Sequence, residues 1–505
     1  MRVLTLKSLG VTAALVLLGL PGVALAFGYE DVVALARADA ATAYRPPAQT
    51  TPSELAQLTY DQIRDIRFRP DRALWRADRL PFELEFFHLG KYQTLPVAIH
   101  EVSPAGVRPI RFDPRDFDYG RNRLATARWG DIGLAGFRVH YRLNSPTVRD
   151  ELGVFLGASY FRMLGRDQRY GLSVRGLAID PVRGAGEEFP RFKSFWIERP
   201  APDANTLVVY AQLDSARATG AYRFVLHPGD ETVVDVKATL FLRAGVATLG
   251  IAPLTSMFSH GEDSPPSGEF RPEVHDSDGL MIATGEGEWL WRPLVNPRRP
   301  LFSSFAVREL KGFGLMQRDR AFTSYEDLEA RYERRPSAWI EPQGRWGPGR
   351  VELLLLHTPD ETHDNVVAWW MPDTPPAPGQ ALELAYRIHW QGEAQQRPPK
   401  GWTMQSRLGH GYAKLAPDEF QFVVDFAGAE LDKVPEASEV EAIVTPLANA
   451  RIVERNAYPN EVRGGWRMTV RAQRIDPAQP VELRAFLQQG SHALTETWTI
   501  LIPPD

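Results

Sequence analysis

The sequence predicts an all-β protein built from two sandwich-like units. Short apolar segments rich in valine, leucine and aromatic residues recur along most of the chain, as in residues 84–87, 136–141 and 232–242. Turn-forming residues separate these segments at intervals of about 8–12 positions, which is the rhythm of a β-sandwich. The chain has 505 residues, more than one hydrophobic core usually serves, so two domains are expected.

Helical periodicity is confined to three short stretches. Residues 29–41 place apolar side chains at helical spacing and predict one surface helix, and residues 51–65 predict a second. The same periodicity returns briefly at residues 324–333. Helices therefore flank the predicted sheets and do not form a layer of their own.

A domain boundary is predicted at residues 389–400, which are polar, contain two prolines and show no periodicity. This linker would join a large unit, residues 27–388, to a small unit, residues 401–505. The small unit has short strand-like segments in about 100 residues, the size of an immunoglobulin-like sandwich. The strand-like segments of the small unit are 420–426, 442–447, 466–472 and 481–486.

The N-terminus has the pattern of a secretory signal peptide, residues 1–26. Arg2 and Lys7 precede an apolar run at 11–20, and Ala24-Leu25-Ala26 supplies the small residues of a cleavage site before Phe27. The apolar run is too short for a membrane anchor, which needs about 20 apolar residues, and no other stretch is long enough. A general (Sec-type) export route to the periplasm is expected. An uncleaved anchor or a buried N-terminal helix are the alternatives.

Composition narrows the possible functions. The net charge of −5 argues against nucleic acid as a partner, because nucleic-acid binding requires a basic surface. The chain has no cysteine, which excludes disulfides, thiol nucleophiles and cysteine-based zinc sites. The 13 tryptophans and 15 tyrosines have flat rings on which sugar rings can stack, although core packing explains their number equally well.

The first candidate site is the segment 271–279, RPEVHDSDG. In an extended conformation Glu273 and His275 would face one way, and Asp276 and Asp278 the other. Two carboxylates on one face repel each other, so they are solvated in a turn, paired with arginine or histidine, or functional. The segment lacks the spaced oxygen ligands of an EF-hand calcium loop.

Two further segments are candidates. Glu361 and Asp364 lie in a polar cluster, 359–365, directly before a buried apolar strand that could hold them rigidly, and a plain acidic turn is the alternative. Trp289 and Trp291 are flanked by Glu and Arg, which could stack on and hydrogen-bond a sugar. Sheet packing explains these two tryptophans equally well.

The sequence gives little support to other kinds of catalytic or cofactor-binding site. No phosphate-binding loop, no His-Glu-x-x-His zinc motif and no Gly-x-Ser-x-Gly nucleophile elbow occurs in the sequence. No cofactor and no metal is predicted. Paired carboxylates remain as the best-supported chemistry, and they are the groups that glycoside hydrolysis uses.

Many segments, in order along nearly the whole chain, resemble the periplasmic glucan biosynthesis protein G/D family. These segments are 60–69 (YDQIRDIRFR), 74–76 (LWR), 86–88 (FFH), 154–161 (VFLGASYF), 170–180 (YGLSVRGLAID), 186–190 (GEEFP), 252–258 (APLTSMF), 271–280 (RPEVHDSDGL), 287–294 (GEWLWRPL), 312–320 (GFGLMQRDR), 331–339 (RYERRPSAW) and 361–370 (ETHDNVVAWW). The resemblance implies a large mutarotase-like β-sandwich joined to a smaller Ig-like sandwich. The Sec-type signal favours the G branch.

The resemblance also implies a function in osmoregulated periplasmic glucan biosynthesis. Some members of the family are inverting endo-β-1,2-glucanases, in which Asp364 would be the acid and Asp276 a base that acts through a relay of hydroxyls and waters. Glu361 and Tyr332 would be neighbours of the substrate. We expect Arg271 or His275 to keep Asp276 ionised.

One position departs from the family pattern, since His363 stands where asparagine is frequent. An imidazole beside the proposed acid could change the pKa of that acid or its contacts with sugar.

Three functions remain open at this point. The first is hydrolysis of a β-1,2-linked glucan backbone, which the presence of both Asp276 and Asp364 favours. The second is non-catalytic binding of nascent glucan for branching or substitution, which needs aromatic and hydrogen-bonding groups but no paired acids. The third is a structural adaptor to an inner-membrane glucosyltransferase.

Overall fold

A computed structural model describes residues 27–49, 51–266, 268–411, 414–435 and 438–504. The predicted signal peptide, residues 1–26, lies outside the described residues. Strands dominate the described chain and confirm the predicted all-β sandwich class. No helix among the described residues has the length and apolarity needed to cross a bilayer.

The large unit contains strands β1 to β25. In chain order they are β1 (Arg67–Phe68), β2 (Glu83–Phe87), β3 (Ala98–Ser103), β4 (Gly106–Ile110), β5 (Phe117–Asp118), β6 (Gly136–Tyr141), β7 (Asp150–Leu156), β8 (Tyr160–Met163), β9 (Ser173–Arg175), β10 (Leu177–Ile179), β11 (Arg191–Glu198), β12 (Leu207–Asp214), β13 (Ala218–His227), β14 (Thr232–Leu242), β15 (Leu249–Ser256), β16 (Phe258–His260), β17 (Val274–His275), β18 (Gly279–Thr284), β19 (Trp289–Pro293), β20 (Leu301–Val307), β21 (Leu310–Met316), β22 (Ser337–Pro342), β23 (Gly349–Leu355), β24 (Val366–Pro372) and β25 (Ala381–Gln391).

The small unit contains the remaining strands. They are β26 (Trp402–Leu408), β27 (Glu419–Ala427), β28 (Glu441–Ala448), β29 (Ala450–Pro459), β30 (Trp466–Arg474), β31 (Val481–Gln489), β32 (His492–Ala493) and β33 (Thr497–Ile502). The strand-like segments predicted in both units coincide with strands to within a few residues.

Two large sheets face each other in the large unit. One has ten strands in the order β2-β6-β7-β8-β9-β15-β24-β23-β20, with β10 beside β15. The other includes β11 to β14 and packs its aromatic side chains against the first. Phe137 of the first sheet meets Phe195 of the second edge to face at 5.1 Å, and Phe155 meets Phe224 at 5.4 Å. Burial of such rings is the main stabilisation of this sandwich.

The second sheet continues from the large unit into the small unit. Its fifteen strands follow the order β28-β31-β33-β19-β18-β21-β22-β25-β14-β13-β12-β11-β3-β4, with β32 beside β31. The join is a parallel pairing of β19 with β33, in which Trp291 lies opposite Trp498. A four-stranded sheet, β26-β27-β30-β29, covers the other side of the small unit.

A second hydrophobic core lies across the predicted boundary. It combines Met316 and Trp339 of the large unit with Phe422 and Trp498 of the small unit. Strand β25 also extends to Gln391, into the predicted 389–400 linker. The observed connection between β25 and β26 is therefore shorter than that linker.

Of the three predicted helices, only the first is confirmed with nearly its predicted bounds. Helix α1 (Tyr29–Ala40) buries Val32 and Ala36 against the outer face of the long sheet. The predicted helix at 51–65 is two short helices, α2 (Ser53–Ala56) and α3 (Tyr60–Arg64). The cause is Thr59, whose side chain accepts the N–H of Gln62 and starts a new helix.

The predicted helix at 324–333 was wrong. Glu326 and Arg331 have φ values of 52° and 51°, in the left-handed region that ends a right-handed helix. The Asp327 carboxylate accepts the backbone N–H groups of Glu329 and Ala330, which offers the backbone a turn in place of a helix. The segment contains short 3₁₀ turns, of which Tyr332–Arg334 matters for the site.

Candidate functional site

Asp276 follows the short strand β17 and is held from both sides. Its backbone N–H donates to the carbonyl of Met257 at 2.8 Å. Its carboxylate accepts a hydrogen bond from the guanidinium of Arg335. Asp276 is only 4% exposed, so this charge-assisted contact provides most of its compensation for lost water.

Arg335 is positioned by its neighbours in the sequence and by a glycine opposite. It follows the 3₁₀ turn Tyr332–Arg334, and its guanidinium lies over the Tyr332 ring at 4.0 Å from the centroid. A Cβ atom added to Gly171 would lie 2.9 Å from the Cβ of Arg335. The absence of a side chain at Gly171 therefore makes room for the arginine stem.

Asp364 lies at the mouth of strand β24, where the sequence predicted a rigidly held acid. The next residue, Asn365, is buried, and its backbone N–H donates to the carbonyl of Ser256 at 3.1 Å. The Asn365 side chain donates to the carbonyl of Leu356 at 2.9 Å. Asp364 itself is exposed, and its carboxylate forms no ion pair with any described residue.

The charges around the two acids differ. Burial raises the pKa of Asp276 above the usual aspartate value, and the guanidinium groups of Arg335 and Arg162 offset only part of this effect. Desolvation by surrounding protein also raises the pKa of Asp364, and the negative charge of Asp276 raises it further. The charge of Asp276 acts on Asp364 strongly enough to raise its pKa, so the two acids share one electrostatic environment.

Arg271 and Glu361 form a second polar group beside the acids. The Arg271 guanidinium lies 2.7 Å from a Glu361 oxygen, 2.9 Å from Asp327 and 2.9 Å from Glu269. These contacts, that of Glu269 first, raise the pKa of Arg271. Arg271 is thus committed to other carboxylates, and Arg335 forms the hydrogen bond to Asp276. Of the two residues expected to support Asp276 by charge or hydrogen bond, His275 does so by charge.

His275 faces away from Asp276, as the alternation along the segment predicted. Its Nε2 lies 2.8 Å from a Glu273 oxygen and its Nδ1 lies 2.9 Å from Oε1 of Gln317. Desolvation lowers its pKa, but the charges of Asp278 and Glu273 outweigh that effect and raise the pKa to about 9. The imidazolium influences Asp276 by charge alone.

Asp278 departs from the predicted alternation. Its carboxylate lies 3.2 Å from His275 Nδ1, on the side expected for Glu273 and His275. Strand β17 ends at His275, so the extended geometry on which the alternation depends does not reach Asp278. The backbone N–H of Asp319 donates to the Asp278 carboxylate at 2.9 Å and fixes it there.

The two predicted tryptophans lie in packing contacts. Trp291 is 3% exposed, and the guanidinium of Arg318 lies 3.5 Å from the centre of its ring. Trp289 stacks on Trp339 with ring centroids 5.8 Å apart. Both belong to the second core, so the packing interpretation fits their contacts.

His363 is exposed and does not contact Asp364. Its Nδ1 lies 2.9 Å from the hydroxyl of Thr362 and 3.7 Å from an oxygen of Asp360. The unusual imidazole therefore interacts within its own turn.

The sequence did not indicate four residues that influence, or are influenced by, the two acids. Arg335 and Arg162 act on both acids, and Arg175 acts on Asp364. Burial and the charge of Asp364 raise the pKa of Tyr160, which Arg175 covers at 4.9 Å. All but Arg162 lie inside segments that resembled the family, so those segments were the available signal.

A cavity of about 200 Å³ lies beside Tyr160. Tyr92 and Phe189 line it and are 75% and 52% exposed, which is high for large aromatic side chains. Arg175 lies over the rings of both Tyr160 and Phe189 and also lowers the pKa of Asp364, so it connects this cavity to that acid. Exposed aromatic rings, a guanidinium group and a carboxylate therefore lie near one another.

Fold and site together define an all-β sandwich protein in which two carboxylates, Asp276 and Asp364, share one electrostatic environment. A family model described as periplasmic glucan biosynthesis protein, MdoG, matches residues 27–502. The chain belongs to this family, and its relatives support the G branch.

Two relatives illustrate the similarity. A protein of Ralstonia nicotianae named glucans biosynthesis protein G is 56% identical over 488 residues, covering 95% of this chain and 97% of the relative. A protein of the same name from Pseudomonas paraeruginosa is 46% identical over 490 residues, covering 95% and 93% respectively. The family description connects the chain with periplasmic glucan biosynthesis.

Proposed function

We propose that the protein is an anomer-inverting endo-β-1,2-glucanase that acts on the backbone of osmoregulated periplasmic glucans. The observation that carries this proposal is the unlike environment of two neighbouring acids. Asp364 is exposed and forms no ion pair with described residues, whereas Asp276 is buried against Arg335. Environments that separate two carboxyls in this way let one act as acid and the other as base.

Asp364 is the proposed general acid. Glycosidic cleavage needs a proton on the leaving oxygen while an oxocarbenium-like state develops. Desolvation and the charge of Asp276 raise the pKa of Asp364, so its carboxyl keeps a proton to higher pH than a free aspartate does. Its exposure leaves that proton accessible to a bound glucan.

Asp276 is the proposed base. The guanidinium of Arg335 opposes the effect of burial and favours the ionised carboxylate that a base requires. With 4% exposure, Asp276 has little direct contact with solvent. It would therefore take the proton of the attacking water through a relay of hydroxyls and waters.

Four further residues would contact or position the glucan. Glu361 is exposed beside Asp364 and accepts from Arg271, and Tyr332 is buried beneath Arg335. The Tyr332 ring is therefore covered, and it would act through its hydroxyl group. Tyr92 and Phe189 offer exposed rings for stacking, whereas Trp291 is buried and Trp289 is half-buried against Trp339.

The stereochemistry of the first product tests the mechanism. Purified protein is incubated with linear β-1,2-glucan, and the anomeric protons are followed by NMR before mutarotation equilibrates them. Inversion predicts an α-anomer at the new reducing end. A β-anomer would overturn the mechanism, and no new reducing end at high enzyme concentration would overturn hydrolysis itself.

A second candidate function is non-catalytic binding of nascent glucan for branching or substitution. The contact between Asp276 and Arg335 favours this function, because a carboxylate that an arginine holds in place can bind glucan hydroxyls by hydrogen bonds. Under this function the chain would bind β-1,2-glucan without cleaving it. The protein would then present the bound glucan to an inner-membrane glucosyltransferase.

The proposed location is the periplasm, reached by a Sec-type signal peptide that is removed before Phe27. N-terminal sequencing of the protein released by osmotic shock tests this. Retention of Met1 in a membrane fraction would contradict it.

A further inference from the structure

A carboxylate cluster lies at the junction of the two units, on the opposite face of the 273–278 segment from Asp276. Its members line one cavity of about 40 Å³, and they are Glu262, Asp263, Glu273, Asp278 and Asp319. Strand β26 of the small unit closes the cavity, with the backbone N–H of Ser406 donating to Glu262 at 3.0 Å. The cluster is thus enclosed by both units.

Nearby positive charge does not balance these five carboxylates. The His275 imidazolium lies 2.8 Å from Glu273 and 3.2 Å from Asp278 and compensates only part of their charge. Arg407 lies 2.9 Å from Glu262 but is shared with Asp425 at 3.8 Å. Arg318 is bound at 2.6 Å and 3.0 Å to Glu496. No lysine, arginine or histidine nitrogen of the described residues lies within 4.0 Å of the Asp319 carboxylate.

One carboxylate oxygen of the cluster, Oδ1 of Asp263, is buried without a hydrogen-bond partner, in a residue that is 8% exposed. Oδ1 of Asp278 has no hydrogen bond either, but it lies 3.2 Å from the His275 imidazole, which compensates its charge. A buried oxygen with a formal negative charge and no donor is costly, which points to a positively charged ligand in the cavity. This observation is independent of the number of acids.

The arrangement of oxygens fits a hard divalent cation. One carboxylate oxygen each from Glu262, Glu273 and Asp319 lies within 4.8 Å of the others. Ca²⁺ binds oxygens at about 2.3–2.6 Å, so two ligands of one ion can stand up to about 5 Å apart. The three oxygens can therefore share one ion after small side-chain adjustments.

His275 is excluded as a ligand by its hydrogen bonds. The amide nitrogen of Gln317 donates to the carbonyls of His275 and Tyr332, which leaves Gln317 Oε1 to accept from His275 Nδ1. The other ring nitrogen contacts Glu273. Both nitrogens are thus engaged, and His275 orients the Glu273 carboxylate without offering a lone pair.

We propose that this cavity is a calcium site with carboxylate ligands from Glu262, Glu273 and Asp319, supported by Asp263 and Asp278. An all-oxygen ligand set selects Ca²⁺ or Mg²⁺ over zinc or copper. Irregular carboxylate geometry suits Ca²⁺, because Mg²⁺ demands near-octahedral coordination and keeps its waters. The ion joins the two units and fixes the segment that precedes Asp276.

The experiment uses the purified full chain after treatment with EGTA. Thermal unfolding is followed with 5 mM CaCl₂, with 5 mM MgCl₂ and without either, and bound calcium is counted by elemental analysis after gel filtration. A ligand that binds only the native state raises Tm, by about 3 °C for a site well above its Kd in a protein of this size. We expect that rise with Ca²⁺, a smaller one with Mg²⁺, and one calcium per chain.

Two variants and a matched control locate the site. Asp319→Asn and Glu262→Gln should each abolish most of the Ca²⁺-dependent rise. Glu430→Gln, at an exposed carboxylate of the small unit paired with Lys433, should keep it. A folded wild-type protein with no Ca²⁺-dependent rise overturns the proposal, and so does an undiminished rise in both variants. Because each comparison is made with and without Ca²⁺, a general loss of stability in a variant does not mimic the result.

Discussion

The side-chain amide of Asn365 clamps the backbone of Phe258 at two points. Its Oδ1 accepts the Phe258 N–H at 2.8 Å, and its Nδ2 donates to the Phe258 carbonyl at 3.0 Å. The residue before Phe258, Met257, accepts the N–H of Asp276 at 2.8 Å. The segments that carry Asp364 and Asp276 are thus both hydrogen-bonded to residues 256–258, where β15 ends and β16 begins, which fixes one acid relative to the other.

The first prediction concerns the two acids directly. Asp364→Asn and Asp276→Asn should each lower turnover of linear β-1,2-glucan by about 10²-fold or more, because each removes a proton-transfer group. Glucan binding, measured by calorimetry, should survive in both variants. Asp373→Asn, at the far end of the strand that follows Asp364, is the control and should keep full activity. Loss of binding with unchanged turnover per bound glucan would assign the acids to hydrogen bonding instead.

The family resemblance pointed to these two acids but not to Arg335, the basic group that contacts Asp276. Their convergence depends on the Asn365 clamp and on the pairing of β15 with β24, which no local pattern reveals. Arg335 was missed because it lies far from Asp276 in sequence and its role depends on room left at Gly171. Trp289 and Trp291 were ambiguous since flanking charges occur in packing and in sugar sites alike.

The second prediction tests the position of Arg335. Gly171→Ala would place a methyl group 2.9 Å from the Arg335 Cβ, closer than such atoms approach in proteins. The Arg335 Cβ is fixed by the backbone, so the turn that carries Arg335 must shift, and this shift displaces the contact of Arg335 with Asp276. We expect turnover to fall by about 10-fold or more, since small misplacements of catalytic groups are costly. Gly245→Ala, where an added Cβ meets nothing within 4 Å, is the matched control, and equal activities of the two variants would contradict the role of Gly171.

The third prediction concerns the exposed aromatic rings of the cavity beside Tyr160. Tyr92→Ala and Phe189→Ala should each weaken glucan binding by about 10-fold, because ring stacking on a sugar is lost. Affinity of the wild type should change little between low and moderate salt, since a neutral glucan offers no charge to screen. Tyr458→Ala, at an exposed ring of the small unit, should leave affinity unchanged. Strong salt dependence would indicate that anionic substituents are recognised.

The fourth prediction is a pH dependence of stability from His88. Its imidazole lies 2.6 Å from the Leu89 carbonyl, and the rings of Phe112 and Phe117 meet it edge on at 5.1 Å and 4.9 Å. Burial lowers the pKa of His88 from 6.5 to about 4. Between these values the unfolded chain binds the proton more tightly, so stability is lost as pH falls from 6.5 toward 4.

The contribution should amount to about 2 kcal/mol between pH 7 and pH 5. Urea unfolding at the two pH values measures it as the difference between wild type and His88→Gln. The variant should lose less stability on acidification than the wild type. His410→Gln, at an exposed histidine, should behave as the wild type, and identical pH profiles for all three proteins would refute the assignment.

The fold was predictable where local pattern and tertiary structure agree. Strand β14 has the bounds that its alternating residues predicted. The end of helix α1 lies within one residue of the end that helical periodicity predicted. The helix expected at 324–333 failed because Asp327 captures backbone N–H groups at short range. The join of β19 to β33 was beyond prediction, since a parallel pairing so distant in sequence leaves no mark in either strand.

The last prediction concerns the division into two units, which stays a prediction. Glu393 is exposed in the connection between β25 and β26, so a glutamate-specific protease should cut after it and leave two protected pieces. The pieces should remain together in gel filtration. Strand β33 stays paired with β19, and the buried ion pair of Arg318 with Glu496 crosses the same junction.

Denaturing electrophoresis shows the cut, and native gel filtration of the same sample shows whether the pieces separate. Glu393→Gln is the control and should resist cleavage at this position. Arg318→Leu should let the nicked pieces separate at lower urea, because it leaves the Glu496 carboxylate buried without its partner, a change that costs about 3–5 kcal/mol. Spontaneous separation of the wild-type pieces would mean that each unit folds without the other. Stable fragments cut near residue 250 would place the division elsewhere, inside the sandwich that β14 and β15 build together.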